Sequence, residues 1–287
     1  MKTSYPPVLP RPLVEHAVRN ALLEDLGRAG DITSHATIAP EAQALAVLTS
    51  REDGVICGVD FIRAAFQQID AALEVEIAVA DGAHITAGQE IARIGGNARA
   101  ILSAERVALN FLMVLSGIAS YTARFAEKIA HTNAKICDTR KTMPGMRAFA
   151  KYAVRCGGGA NHRFGLDDAV LIKDNHIAVA GGVKQAIEAA RNFVGHLVKI
   201  EVEVDTLEQM KDALDVQADV ILLDNMPPET LVKAVEINAG RAKLEASGNI
   251  NFDTVEAVSE SGIDYISTSK ITMSAPTLDV GLDIVVR

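Results

Sequence analysis

Tryptophan is absent, and aromatic residues make up only 4% of the 287 residues. Positive charge is in deficit, with 28 Lys and Arg against 37 Asp and Glu for a formal charge of −9. Both shortages argue against a nucleic-acid partner, which needs a basic footprint and stacking rings. The three cysteines, Cys57, Cys137 and Cys156, are odd in number and far apart, so they fit neither a disulfide framework nor a zinc spacing. A reducing, cytoplasmic setting is expected. Long apolar runs are also missing: the longest, Val107 to Ala119, is interrupted by Asn110, Ser116 and Gly117. It falls short of the roughly 20 residues that span a bilayer and reads as a buried helix. The opening MKTSYPPVLPRPL has one early Lys and then prolines in place of the apolar stretch of a secretory signal, so no export and no membrane partner are expected.

What is present is a globular composition, 49% apolar and 23% charged, long enough for one large domain or two ordinary ones. Residues 10–27 place Leu13, Val14, Ala17, Ala21, Leu22 and Leu26 at helical spacing, with Gly27 as a stop. From Ala42 to Gly96, short runs such as AVLTS and VEIAVA are broken by DG and GG pairs and read as strands and turns. Ala100 to Lys128 reads as a helix with Ile101, Ala104, Ala108, Phe111 and Leu112 on one face and Ser103 as a candidate cap. Beyond it, AKICDT, AVLIK, VKIEVEV, ADVILLD, RAKLEA and IDYIS alternate with helical intervals, the signature of parallel βα units. Too few residues remain for the roughly 250 of a complete eight-unit barrel. The expected fold is α/β: an N-terminal α/β sandwich domain over 1–115, then an incomplete, open barrel, or an open parallel sheet, of six to seven parallel strands over 116–275. Residues 276–287 read as a last strand or a tail returning to the first domain.

Reactive side chains in such folds gather where strands end. The strand ends here carry Asp138 to Thr142, Lys173 to His176, Glu201 and Glu203, Asp224-Asn225, Glu245 to Asn249, and Ser267 to Ser269. Between Asp138 and His176, seven Lys and Arg face four Asp, a cationic window in an acidic chain. It suits a small, highly anionic ligand such as a carboxylate or phosphate, although solvated loop charges give the same count. Glu201 and Glu203 must share one face of their strand, a costly arrangement unless cations or a metal compensate it. With Asp224 they form a candidate Mg²⁺ site, with salt bridges to Lys141 or Lys173 as the competing reading. Ser247-Gly248-Asn249 and Ser267-Thr268-Ser269 close the last two strands, where barrels often bind phosphate. Gly157-Gly158-Gly159 lacks the sequel of a Walker loop and reads as a turn or tight packing point.

The segments TRKTMPGMR (from Thr139), KYAV (Lys151), GGGANHR (Gly157), LIKDNH (Leu171), EVEV (Glu201), LLDN (Leu222) and LEASGNI (Leu244) occur in the order seen in one family. With GDITS at Gly30 and SAPTLD from Ser274, the chain resembles the quinolinate phosphoribosyltransferases over nearly its whole length. The resemblance implies a Mg²⁺-dependent reaction of quinolinate with 5-phosphoribosyl 1-diphosphate, giving nicotinate mononucleotide, diphosphate and CO₂. It assigns quinolinate to Thr139, Arg140, Lys141, His162, Arg163 and Lys173, with Arg106 reaching in from a neighbouring subunit of a homodimer. It assigns the phosphoribosyl donor to Lys141, Glu201, Asp224, Glu245, Ser247, Gly248, Asn249, Ser267, Ser269 and Lys270. Lys141, Glu201 and Asp224 become the catalytic set, and Glu201 with Asp224 the metal ligands. The chain departs from the family pattern at Ser269, where a glycine is usual, and at Met273, where a histidine is usual. A related transferase acting on nicotinate is the nearest rival, but a monocarboxylate needs fewer cations than this chain offers. DGAHITAGQEIARIG, from Asp81, resembles biotinyl and lipoyl carrier hairpins, yet no Lys lies between Ala42 and Arg99 to be modified.

Overall fold

The computed structural model describes residues 8–286. The first seven residues, part of the stretch read for an export signal, lie outside the described residues. In chain order the elements begin with α1 (Arg11–Leu26), α2 (Ile32–Thr37), β1 (Gln43–Ser50), β2 (Gly54–Val55), α3 (Val59–Ile69), β3 (Glu74–Ile77), β4 (His84–Ile85), β5 (Glu90–Asn97) and α4 (Ala98–Lys128). They continue with β6 (Lys135–Cys137), α5 (Arg147–Cys156), β7 (Val170–Ile172), α6 (Asp174–Ala180), α7 (Val183–Phe193), β8 (Ile200–Val204) and α8 (Leu207–Asp215). The remainder are β9 (Val220–Asp224), α9 (Pro228–Asn238), β10 (Lys243–Ser247), α10 (Val255–Ser259), β11 (Tyr265–Ser267), α11 (Lys270–Met273) and β12 (Val280–Val286). Two compact units result: residues 1–123 with 155–158 and 275–287, and residues 124–154 with 159–274.

The first unit is built on an antiparallel sheet of order β12-β1-β5-β3. Ala44, Ala46 and Leu48 of β1 alternate inward, as a strand covered on one face requires. The C-terminal run is a strand, with β12 pairing β1 from Ala44↔Val286 to Ser50↔Val280. Helix α1 buries Val14, Val18 and Leu22 at four-residue intervals, while Leu13, expected on that face, is 38% exposed. The cap of α4 differs from expectation. The helix starts at Ala98, Asn97 Oδ1 accepts the N–H of Ala100 at 3.1 Å, and Ser103 lies inside the helix, donating to Asp31. At 31 residues, α4 covers the expected Ala100–Lys128 with two more residues at its start, and by length and hydropathy it could cross a membrane. Here it is a core helix, with Ile101, Ala104, Ala108, Leu112, Leu115 and Ala119 all buried.

The second unit holds a six-stranded sheet of order β6-β11-β10-β9-β8-β7, parallel throughout, as the six runs predicted. The first strand joins the last, and the second strand ends the opposite edge, so the curved sheet stays open between β6 and β7. A parallel bridge from Cys137 to Ala160 lies beside β6. Val202, Val204, Ile221, Leu223, Leu244, Ala246 and Ile266 form the face covered by helices. The alternate positions of the same strands carry the polar residues.

Within the glycine triplet, Gly157 is a packing point. A Cβ there would stand 2.2 Å from the Ala119 carbonyl oxygen and 2.8 Å from Thr122 Cβ. Gly157→Ala is expected to cost about 1–3 kcal/mol through overpacking, seen as a lower urea midpoint. Gly95→Ala, whose new Cβ meets only Leu45 Cδ1 at 4.0 Å, should leave the midpoint nearly unchanged.

Candidate active site

The C-terminal ends of the parallel strands surround a cavity of about 330 Å³. Its wall brings together Thr139, Arg140 and Lys141 after β6, His162 and Arg163 beyond the Ala160 bridge, Lys173 after β7, and Glu245, Ser247 and Ser267 from β10 and β11. Glu203, Leu171 and Leu222 complete it. Among the described residues, the buried Nε atoms of Arg140 and Arg163 have no hydrogen-bond partner in the chain. Burial and the charge of Arg140 lower the pKa of Arg163. Crowded cations with unmet donors suit an anionic ligand with several oxygens.

One polar cluster holds this wall in place. Asp138, with no exposed surface, accepts from Lys151 Nζ at 2.5 Å, Asn161 Nδ2 at 2.6 Å and the His162 N–H at 2.9 Å. Lys151 Nζ also donates to the His162 carbonyl at 2.9 Å. Burial outweighs these partners and raises the pKa of Asp138. Reasoning from strand ends did not give Lys151 or Asn161 a role. The available signal was a Lys between Ala150 and Ala153 on the buried face of α5.

The carboxylates divide into two groups. His162 Nε2 lies 2.8 Å from Glu201 Oε2 and 3.9 Å from Glu245 Oε1. Burial disfavours its imidazolium, but the hydrogen bond to Glu201 and the charges of Glu245 and Glu201 prevail and raise its pKa. Burial, followed by the charge of Glu201, pushes Glu245 up to about 7. The second group is Glu203, Asp205 and Asp224, in which burial and then the charges of Glu203 and Asp205 raise the pKa of Asp224. Lys173 Nζ donates to Glu203. Glu201 and Asp224, joined at one metal by the sequence reading, sit at different heights. Glu201 is level with Val220, four residues short of Asp224, or about 13 Å along the strand. Glu203 is level with Leu222 and therefore nearer to Asp224.

The remaining expected residues surround these groups. Asn225 bonds Asp224 Oδ2 at 2.6 Å and accepts from Asn249 Nδ2 at 3.0 Å. A Cβ on Gly248, at φ +89°, would meet Asn225 Oδ1 at 2.2 Å, so this close approach needs glycine. Ser269 and Lys270 start α11, from which Thr272 Oγ1 donates to the Lys141 carbonyl at 2.8 Å. Met273 is 49% exposed. Arg106 belongs to α4 in the first unit, and the cavity is lined by second-unit residues.

Two family models match the chain: quinolinate phosphoribosyl transferase, N-terminal domain, over residues 31–116, and the C-terminal domain of the same family over 118–283. The chain belongs to the quinolinate phosphoribosyltransferase family. It is 42% identical over 262 residues to a probable carboxylating nicotinate-nucleotide pyrophosphorylase of Bacillus subtilis, covering 91% of this chain and 90% of that protein. With the carboxylating nicotinate-nucleotide pyrophosphorylase of Mycobacterium leprae it shares 41% over 272 residues, 93% of this chain and 95% of that one. The solved nicotinate-nucleotide pyrophosphorylase of Francisella tularensis superposes with a TM-score of 0.94 at 39% identity, covering 97% of this chain and 98% of the other. Membership in the family makes the strand-end cavity the place to look for its chemistry.

Glu245 generates a pH dependence of folding. Its folded pKa of about 7 exceeds the ordinary glutamate value, so its contribution is complete below that ordinary value and is lost as pH rises through about 7. Melting scans should show Glu245→Gln losing this fall, so that the variant gains on the parent between about pH 5 and about pH 8.

Proposed function

We propose that the chain transfers the phosphoribosyl group of 5-phosphoribosyl 1-diphosphate to the ring nitrogen of quinolinate, with loss of the 2-carboxylate, for NAD biosynthesis. The observation that carries this reading is the cavity wall itself, where Arg140, Lys141, Arg163 and Lys173 converge beside His162. Two adjacent carboxylates on one small ring need that many donors. Thr139, Arg140, His162, Arg163 and Lys173 hold quinolinate, and Lys141 bridges to the donor's diphosphate. Ser247, Gly248, Asn249 and Ser267 receive the 5-phosphate, with Ser269 and Lys270 as further donors.

A magnesium ion fits the second carboxylate group better than the first. Glu203, Asp205 and Asp224 offer oxygen atoms only, and burial, then the charges of Glu203 and Asp205, raises the pKa of Asp224. His162, Glu201 and Glu245 form a buried mixed nitrogen and oxygen cluster, less suited to an ion that keeps its waters. We therefore assign Mg²⁺ to Asp224 with Glu203, and give Glu201 the role of orienting His162. Bound there, the ion would neutralise charge on the departing diphosphate.

The chain's own residues act by position and charge. Lys141 offsets negative charge at the diphosphate, and the carboxylates across the cavity favour a cationic sugar carbon. Once the ring nitrogen carries the ribosyl group it is a pyridinium. It stabilises the electron pair left on the ring carbon when the carbon–carboxylate bond breaks and CO₂ leaves, and a proton then takes the vacated position. A cytoplasmic, reducing setting belongs to the same reading. The reading includes a homodimer in which Arg106 serves the site of the partner subunit.

The purified chain, supplied with quinolinate, 5-phosphoribosyl 1-diphosphate and Mg²⁺, should form nicotinate mononucleotide and CO₂. Nicotinate in place of quinolinate should give no product, and the opposite preference would overturn the assignment. In the same assay, Glu203→Gln should raise the Mg²⁺ concentration for half-maximal rate about tenfold or more, with a smaller change for Glu201→Gln. Mixing inactive Arg106→Ala and Lys141→Ala chains should restore up to about a quarter of the parental activity through hybrid dimers. No recovery from hybrids verified by mass would remove Arg106 from the shared site.

A further inference from the structure

Three potential metal ligands far apart in the sequence meet within the first unit, outside the residues assigned to the reaction. Cys57 precedes α3, Asp81 stands in the turn between β3 and β4, and Cys156 closes α5. One ligand atom from each lies within 4.8 Å of the other two. Cys57 has no exposed surface, whereas Asp81 and Cys156 are half-buried, so the cluster has a closed side and an open side.

The surroundings hold the carboxylate in place and bring the two thiols together. Asp81 Oδ1 accepts the N–H groups of Gly58 at 2.8 Å and Val59 at 3.1 Å, where the dipole of the 11-residue α3 also favours an anion. The side chains of Cys57 and Cys156 share a hydrogen bond, with Asp81 beside them. A thiol pair, one member buried, beside a carboxylate is a poor place for thiolates alone. It is a good one for thiolates that share a cation.

We propose that Cys57, Cys156 and Asp81 form a binding site for one thiophilic metal ion of the zinc class, with water in the fourth position on the open side. Zinc–sulfur bonds of about 2.3 Å and zinc–oxygen bonds of about 2.0–2.2 Å set tetrahedral ligand atoms roughly 3.5–3.8 Å apart. The cluster needs only small side-chain adjustments to reach that spacing. On binding, two S–H bonds break, two sulfur–metal bonds form and two protons leave to solvent, with no change in oxidation state. The ion offsets two of the three ligand charges. Sequence spacing cannot reveal this site, because no two of its ligands share a local motif.

The test uses the full chain, stripped with a chelator and kept reduced by a phosphine. After one equivalent of Zn²⁺ and gel filtration, the wild type should retain about one ion against a chromophoric chelator. Cys57→Ala and Cys156→Ser should each weaken retention at least about tenfold while keeping the far-ultraviolet circular dichroism of the parent. Cys156, being half-buried, provides a variant that does not open the core. Cd²⁺ should give a thiolate charge-transfer band in the wild type that both variants lose. The proposal is overturned if the wild type retains no Zn²⁺, if the variants retain it equally, or if Cd²⁺ binds without that band. Formation of a Cys57–Cys156 disulfide on oxidation, in protein that retains no metal when reduced, would equally overturn it.

Discussion

A carboxylate with no exposed surface organises the cationic wall of the cavity. Asp138 gathers Lys151, Asn161 and the backbone of His162 around one pair of oxygens. The partners come from two stretches of chain: Lys151 from the helix α5, and Asn161 with His162, which faces Glu201, from the segment after the glycine triplet. A buried charge deprived of its partner costs about 3–5 kcal/mol, so the cluster is held together or not at all. The same bonds aim His162 and Arg163 from a segment that has no regular secondary structure.

Charge of the opposite sign is treated in two ways across the same cavity. Glu201 and Glu245 are buried and share an imidazole, which supplies one cation for two carboxylates. Burial, followed by the charge of Glu201, pushes Glu245 up to about 7. Glu203, Asp205 and Asp224 crowd one another at the strand ends, with Lys173 on Glu203. A closed cluster suits orientation of a side chain, and an open, oxygen-only cluster suits a hydrated divalent ion. This division keeps the two carboxylate groups apart on one sheet face.

Much of this was legible in the residue order. Alternation of apolar runs and helical intervals identified all six parallel strands, because periodicity is a local property of the chain, and the chain length left too few residues for a closed eight-unit barrel. The cationic window from Asp138 to His176 and the hydroxyls at Ser247 and Ser267 marked the cavity wall for the same reason: strand ends are visible in sequence. The entry of α4 was misjudged because Asn97 caps the helix earlier than Ser103 suggested, and a cap depends on backbone geometry as well as residue type.

Sequence by itself determined the fold class, the family and which segments carry reactive side chains, since each of these is written in short-range pattern or motif order. Only the tertiary structure decided which charges face each other. The register of β8 against β9 sets Glu203 nearer to Asp224 and leaves Glu201 to His162. The folding of α5 turned Lys151, counted in the sequence with the cationic window, into the partner of a buried Asp138. The convergence of Cys57, Asp81 and Cys156 depends on the closure of three separate segments. Strand register and long-range closure come from side-chain packing summed over the whole chain, and no local pattern of residues records that sum.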